Sequence, residues 1–147
     1  MIERLQTEIK GLWAAIEALR AMPLPKFVQL TTPLTSTSWD GDAYSTTGKT
    51  LIDLSAVFGA PAGIKAILAN LAVRDSGSAG NECWLILSPN NTPSSGPWFD
   101  CSGLANDFFD RGTIIVPCDT NGDIYYQIQA SGAGTMDVYL QIWGYWL

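Results

Sequence analysis

Apolar residues recur at a regular spacing over the first twenty positions of the chain. Successive members are three, four, three, four and three residues apart: Ile2, Leu5, Ile9, Leu12, Ile16 and Leu19. This is a heptad repeat, which predicts an amphipathic helix with one narrow apolar stripe. Because a helix of this length is only marginally stable alone in water, the stripe predicts a partner, most simply identical copies of the chain. We therefore expect residues 1–22, called the stalk below, to form a coiled-coil oligomerisation helix.

The residues around the stripe bear on the number of copies. Isoleucine at every a position with leucine at every d position favours a parallel dimer. Trp13 at an e position, with Ala15 and Met22 at g positions, widens the apolar face beyond a two-stranded seam. We therefore expect a parallel homotrimer in preference to a dimer. The alternative is a single helix that packs against its own chain, although such a helix normally has a broader apolar face.

The pattern changes after residue 22. Residues 23–26 form a proline-rich joint, and proline ends the helix because it lacks a backbone donor and restricts the residue before it. Beyond the joint, apolar positions alternate with period two and β-branched and aromatic residues are frequent, which predicts strands. The predicted strands cover residues 27–32, 49–54, 64–73, 83–88, 113–117, 123–130 and 135–146, with a weaker eighth near 98–101 or 107–109.

Glycine, serine, asparagine and proline separate these strands, as in the segment 88–96, which we expect to be exposed. Many short strands with such turns are typical of an antiparallel sandwich. We therefore expect a mainly β protein, in which residues 27–147, called the head below, form a jelly-roll-like β-sandwich. Alternation within the last strand places five apolar side chains on one face: Met136, Val138, Leu140, Ile142 and Trp146.

Composition and charge exclude several classes of protein. The chain is 47% hydrophobic and 15% charged, a balance that excludes a disordered chain. Acidic and basic residues balance within the stalk, so the rest of the chain has the whole formal net charge of −6. A surface of that sign repels phosphate backbones, which argues against a nucleic-acid partner.

The sequence also argues against membrane insertion. It has no run of about 18 apolar residues, the length that a membrane span requires. The apolar residues of the stalk alternate with charged ones and are not gathered as in a signal peptide. We therefore expect synthesis in the cytoplasm, or export by a route without a cleaved signal.

Candidate catalytic and metal-binding residues are few. The chain has no histidine, no nucleophile motif and no phosphate-binding loop, so we expect no enzymatic activity and no cofactor. Asp40 and Asp42 could in principle flank a glycosidic bond, as a glycosidase requires, but two residues so close on a turn are better explained as solvated. Residues 119–123 begin like a calcium loop. They lack its glycine and closing glutamate, so we expect an Asn-Gly turn and no metal.

Two further groups of residues leave alternatives open. Cys83, Cys101 and Cys118 are expected to be reduced and structural, although Cys101 and Cys118 could pair. Trp98 and Phe99 adjoin the segment 88–96 and are candidates for an outward ligand platform, since aromatic faces stack on sugars and anchor protein interfaces. Trp143 and Trp146 are expected in the core or in a subunit contact.

The order of these parts resembles the small fibre, head-fibre and decoration proteins of tailed bacteriophages. The resemblance depends on the heptads of residues 2–19, the joint, the strands with Gly/Ser turns and the apolar ending 139–147. It implies a short coiled coil that trimerises and a β-sandwich that faces outward. It implies no particular functional residue, because such heads share an architecture and not a site.

The function that we expect is that of a structural virion protein, a homotrimeric fibre or capsid decoration protein. Its expected location is the virion, and its expected partners are its own copies, other capsid or tail proteins and the host surface, for example a surface glycan. The alternative from a different class is a non-catalytic, lectin-like carbohydrate-binding module.

Overall fold

The computed structural model describes residues 2–22, 24–36, 38–39 and 41–147. Helix α1 spans Ile2–Arg20, where the heptad repeat predicts it, and none of its residues is buried. Two ion pairs lie along its surface, Arg4–Glu8 and Glu17–Arg20, at N–O distances of 3.2 and 3.3 Å. Of the predicted joint, Pro23 lies outside the described residues, and residues 24–26 have no regular secondary structure.

In the rest of the chain, most of the regular secondary structure is β-strand. Its strands are β1 (Phe27–Leu34), β2 (Gly41–Tyr44), β3 (Thr50–Ile52), β4 (Ala66–Asp75), β5 (Trp84–Ser88), β6 (Trp98–Asp100), β7 (Asp110–Pro117), β8 (Ile124–Gln129) and β9 (Met136–Trp146). Between β3 and β4 lies a short helix, α2 (Leu54–Phe58), and between β4 and β5 a single 3₁₀ turn, Ser78–Gly80.

The strands form two antiparallel sheets. Sheet A has the order β1-β9-β4-β7, with β2 continuing along β9 beyond β1, and sheet B has the order β3-β8-β5-β6. If β1 and β2 are taken as one interrupted strand, this is the strand order of a jelly roll, in which the chain crosses repeatedly between the sheets. The prediction of a mainly β, jelly-roll-like sandwich is therefore confirmed.

The core fills the space between the sheets. Alternate residues of β4, Ile67, Ala69, Leu71 and Val73, are all buried there. The neighbouring strand β9, which is hydrogen bonded to β4, adds Met136, Val138, Leu140 and Ile142 to the same buried face. The core includes no residue of α1, so the head closes over its own apolar residues without the stalk.

A bulge in β9 overturns the prediction for Trp146. Ile142 pairs with Ala69 and Gly144 with Leu68, so Trp143 has no partner in β4. One extra residue reverses which side each later side chain faces. Tyr145 therefore packs against the core, and Trp146 lies outside, with its ring centroid 4.6 Å from that of Phe27.

Candidate oligomerisation and ligand-binding surfaces

The apolar stripe of the stalk is uncovered in the single chain. Ile16 is half-buried, and the other five predicted oligomerisation residues are exposed, over 49% to 76% of their surface: Ile2, Leu5, Ile9, Leu12 and Leu19. Trp13 and Met22, which widen the stripe, are exposed as well. The helix therefore does not pack against its own head. Since burying one Leu or Ile side chain contributes roughly 1.5–3 kcal/mol, a stripe of this length has much to gain from a partner.

Exposed apolar residues continue from the stalk onto the head. The base of the head is the end at which the stalk joins, where β1 begins and β9 ends. Leu24 and Leu147 are exposed there, and Phe27 stays 40% exposed beside Trp146. Backbone hydrogen bonds between Lys26 and Leu147 fix this arrangement, with N–O distances of 3.0 and 3.4 Å. The apolar surface of the stalk therefore does not stop at the joint.

The prediction that Trp98 and Phe99 form an outward platform is wrong for Phe99. Neighbouring residues of a strand point to opposite faces, and the Phe99 side chain is in the core, with 8% of its surface exposed. Trp98 points outward from sheet B and is 49% exposed. Its actual neighbour is Trp84, with ring centroids 4.8 Å apart. Strand pairing supplies this partner, and the sequence gives no sign of it.

Hydrogen bonds hold the segment 88–96 against sheet B. Lys49 Nζ donates hydrogen bonds to Ser88 Oγ and to Ser95 O, at 2.5 and 2.8 Å, and Ser94 N donates to Gln127 Oε1 at 2.9 Å. Partial burial lowers the pKa of Lys49. Residues 90–94 are exposed as predicted, but the ends of the segment are not. The segment therefore forms an ordered border beside Trp98.

A second concave surface lies on the outer face of sheet A, away from the base. It is a groove of about 550 Å³ with a floor formed by three strands. Strand pairing arranges its side chains in two rows, Tyr139–Ala72–Arg111 and Gln141–Asn70–Thr113, and Phe109 closes one end. The sequence did not predict this groove. Arg111 precedes the predicted strand 113–117, so its pairing with Ala72 could not be inferred.

The next candidate is the pair of carboxylates that a glycosidase would need. Asp40 and the Asp42 side chain lie outside what the structure describes. Their neighbour Trp39 is buried among aromatic rings, with its centroid 5.1 Å from that of Tyr126. The Tyr44 hydroxyl donates a hydrogen bond to the carbonyl oxygen of Trp39. The described part of this segment is therefore attached to the core.

Asp119 holds the loop 119–123 in a turn. Asp119 Oδ1 accepts hydrogen bonds from the backbone N–H groups of Asn121 and Asp123, at 2.8 and 2.9 Å. Asp123 Oδ1 accepts from the N–H of Leu54, at the start of α2. Burial, with the nearby charges of Asp53 and Asp119, raises the pKa of Asp123. Over the described residues, no cluster of three or more His, Cys, Asp or Glu side chains could hold a metal ion.

All three cysteines are free thiols. The open alternative that Cys101 pairs with Cys118 is wrong, because the two lie near opposite ends of β7, about 26 Å apart by strand rise. Cys101 instead lies opposite Cys83, with its N–H bonded to the Cys83 carbonyl at 2.9 Å. Burial raises the pKa of Cys83 to about 11 and those of Cys101 and Cys118 to about 12, so the thiols stay protonated at neutral pH.

None of the described helices is both long enough and apolar enough to cross a membrane.

Comparisons with known proteins show no family for this chain. No family model matches it, and no curated protein matches it. Among solved structures, a chain titled Desmodium yellow mottle tymovirus is similar over 86% of this chain and 89% of that chain. The TM-score is 0.41 and the sequence identity is 11%.

Proposed function

We propose that this chain is a structural virion protein, a homotrimeric fibre or capsid decoration protein of a tailed phage. One observation supports this most strongly. The stalk presents an exposed heptad stripe, although the head beside it has a closed core of its own. A helix that adds nothing to its own core is explained if it gathers copies of the chain.

The proposed trimer would bury the stripe and part of the base of the head. In a parallel coiled coil the three stripes face one another, and Trp13 and Met22 cover the flanks of the seam. Exposed Leu24 and Leu147 would then meet their counterparts close to the axis. The stalk attaches the head to a capsid or tail, and the three heads face outward. The proposed role is non-catalytic.

Leu12→Asp tests the assembly. It places a charge in the seam, and we expect the trimer to dissociate into single chains, since an unpaired buried charge is strongly unfavourable. Light scattering coupled to size-exclusion chromatography measures the mass, and circular dichroism should retain the β spectrum of the head. Ala14→Asp is the matched control, because it adds the same charge at an f position, away from the seam. A Leu12→Asp variant that remains trimeric would contradict the proposal.

The virion location needs a separate test. Antibodies raised against the head should label intact particles of the phage that encodes this chain, as seen by immunogold electron microscopy. Labelling should form a repeated pattern on the capsid or tail. Purified particles that neither bind the antibody nor contain the chain would contradict the virion role while leaving the trimer untouched.

A lectin-like module is the second candidate, supported by the exposed Trp98 beside Trp84. Tilted aromatic rings at the surface stack on sugar rings without needing a charged group. On a glycan array, Trp98→Ala should then abolish binding that Phe108→Ala, a change at another exposed aromatic residue, leaves intact. Binding that survives Trp98→Ala would remove this platform from consideration.

A further inference from the structure

The groove on sheet A is lined by hydrogen-bond donors. Thr113 Oγ1 donates to Asn70 Oδ1 at 2.7 Å, and Trp143 Nε1 donates to Gln141 Oε1 at 3.4 Å. Both amide oxygens are thereby occupied by neighbours within the sheet. The two amide nitrogens remain, and over the described residues no acceptor bonds either of them. The row therefore offers N–H groups to a ligand rich in acceptor oxygens.

Arg111, in the neighbouring row Tyr139–Ala72–Arg111, adds a positive charge to the groove. Two arginines flank the Phe109 ring, with Arg74 and Arg111 guanidinium carbons 4.8 and 4.4 Å from its centroid. Arg74 is neutralised by Asp137, at an N–O distance of 2.5 Å. Arg111 is exposed, and across the part of the chain that the structure describes it makes no ion pair. In a head with net negative charge, this is a cation available to a ligand.

The groove also has an apolar wall and a depression. Ala72 lies between Tyr139 and Arg111 in the same row across the sheet. Its small side chain leaves room there, between the aromatic ring on one side and the guanidinium on the other. The volume of about 550 Å³ lies within the usual range for small-ligand sites. Aromatic rings bordered by amides and one charged group are suited to a sugar.

We propose that this groove binds a carboxylated sugar unit of an acidic polysaccharide. The carboxylate would pair with Arg111, the sugar ring would lie over Ala72 against Tyr139, and the sugar hydroxyls would accept hydrogen bonds from Asn70 and Gln141. A guanidinium can bind a carboxylate through two parallel hydrogen bonds, which fixes the orientation of the sugar. All of these residues belong to one chain, so the proposal does not depend on the trimer or on a virion location.

The position of the groove argues against a peptide strand as its ligand. An added β-strand needs a free sheet edge. The floor of the groove spans three strands, and its central strand β4 is hydrogen bonded to β7 on one side and to β9 on the other. Strand β7 is the edge of sheet A, so an added strand would lie beside the groove and not across it. The face of the sheet offers side chains, and here those side chains are donors, one cation and aromatic rings. That set favours an acidic sugar.

Calorimetry and NMR on the full-length chain test the proposal, with trigalacturonic acid as the probe and maltotriose as its neutral counterpart. We expect saturable binding of the acidic sugar alone, with shifts of backbone amide signals at Ala72 and Gly112. Raising the salt concentration should weaken this binding, because the exposed ion pair is screened.

Two variants locate the binding. Arg111→Gln should weaken the affinity for trigalacturonic acid at least tenfold, whereas Lys65→Gln, an equal change of charge at the base of the same sheet, should change it less than twofold. Tyr139→Ala should also weaken it at least tenfold, and Trp98→Ala on sheet B should not. Dispersed amide spectra of each variant verify that the head remains folded.

Several results would overturn the proposal. These are no saturable binding of the acidic sugar, equal losses in Arg111→Gln and Lys65→Gln, or amide shifts that cluster at Trp98. Equal affinity for triglutamic acid would indicate that the groove binds an acidic peptide and not a sugar. If the amide shifts are absent because a neighbouring copy covers the groove, the groove is a subunit contact. None of these results bears on the assembly test with Leu12→Asp.

Discussion

Large apolar side chains are buried in the head and exposed in the stalk. In the head, Leu140 and Ile142 are fully buried between two sheets, whereas Leu12 and Leu19 of the stalk are more than 60% exposed. The head completes its core within one chain, and over the described residues the stalk adds no side chain to that core. We therefore expect the head to be stable as a single chain, and the stalk to be stable only when it assembles with other copies as proposed.

The largest expected effect is on the head alone. Leu140→Ala removes a fully buried side chain from the central strand β9, and such changes cost about 2–5 kcal/mol. We expect urea unfolding, followed by tryptophan fluorescence, to show this loss at any protein concentration. Leu12→Ala should instead lower the fraction of assembled protein, measured by light scattering, and this loss should become smaller as the concentration rises, because mass action favours the assembled stalk.

An equal, concentration-independent loss of unfolding free energy from Leu12→Ala would mean that the stalk belongs to the folding unit of the head. The contrast between the two regions would then not hold.

A smaller effect is expected at Asp75, a buried carboxylate that joins two turns of the head. Its oxygens accept hydrogen bonds from the backbone N–H groups of Gly77 and Ser131 and from the hydroxyl groups of Ser131 and Thr135. Burial alone would raise its pKa, but these hydrogen bonds outweigh burial and hold the pKa below its ordinary value. Asp75→Asn should therefore cost about 1.5–3 kcal/mol at neutral pH, the range for hydrogen bonds to a charged group.

The direction of this pKa shift fixes the pH dependence. A lowered pKa in the folded state stabilises the protein fully above about pH 4, the ordinary carboxyl value, and this contribution is lost as the pH falls through the folded-state pKa. Thermal unfolding of the original chain should thus lose more stability on acidification than that of Asp75→Asn. Parallel pH profiles would show that Asp75 is not ionised in the fold.

The smallest effect is expected on the stalk surface. Arg4 and Glu8 form an exposed pair one turn apart, and such pairs contribute about 0.3–0.5 kcal/mol. Arg4→Ala should leave the proposed trimer intact in light scattering and lower its melting temperature only slightly. Dissociation on this change would place the interface on the charged face of the helix and not on the apolar stripe.

The sequence was sufficient where one pattern dominates locally. The 3.5-residue repeat locates α1, and the alternation in β4 and β9 identifies the core face. It failed where the pattern is short or interrupted. Strand β2 contains glycine, aspartate and alanine, which are poor strand formers, and α2 has only five residues. For α2, the capping residues Asp53 and Gly59 could have indicated the helix, since Asp53 Oδ1 accepts from Ala56 N.

Surface sites were harder to predict because they depend on pairing between distant strands. Trp84 meets Trp98 only because β5 pairs with β6, and Arg111 meets Tyr139 only across β4. Nothing in the local sequence around Arg111 indicates those neighbours. The bulge at Trp143 likewise depends on the register of β9 against β4. Alternation alone therefore assigned Trp146 to the wrong face.

The most direct measurement compares the mass of the full-length chain with that of a chain beginning at Pro25, by sedimentation equilibrium. We expect the full-length protein at three times the chain mass of 15.9 kDa, and the shortened protein as single folded heads. Full-length protein that sediments as single chains at high concentration, or heads that remain trimeric without residues 1–24, would contradict the account of the stalk as the element that assembles this protein.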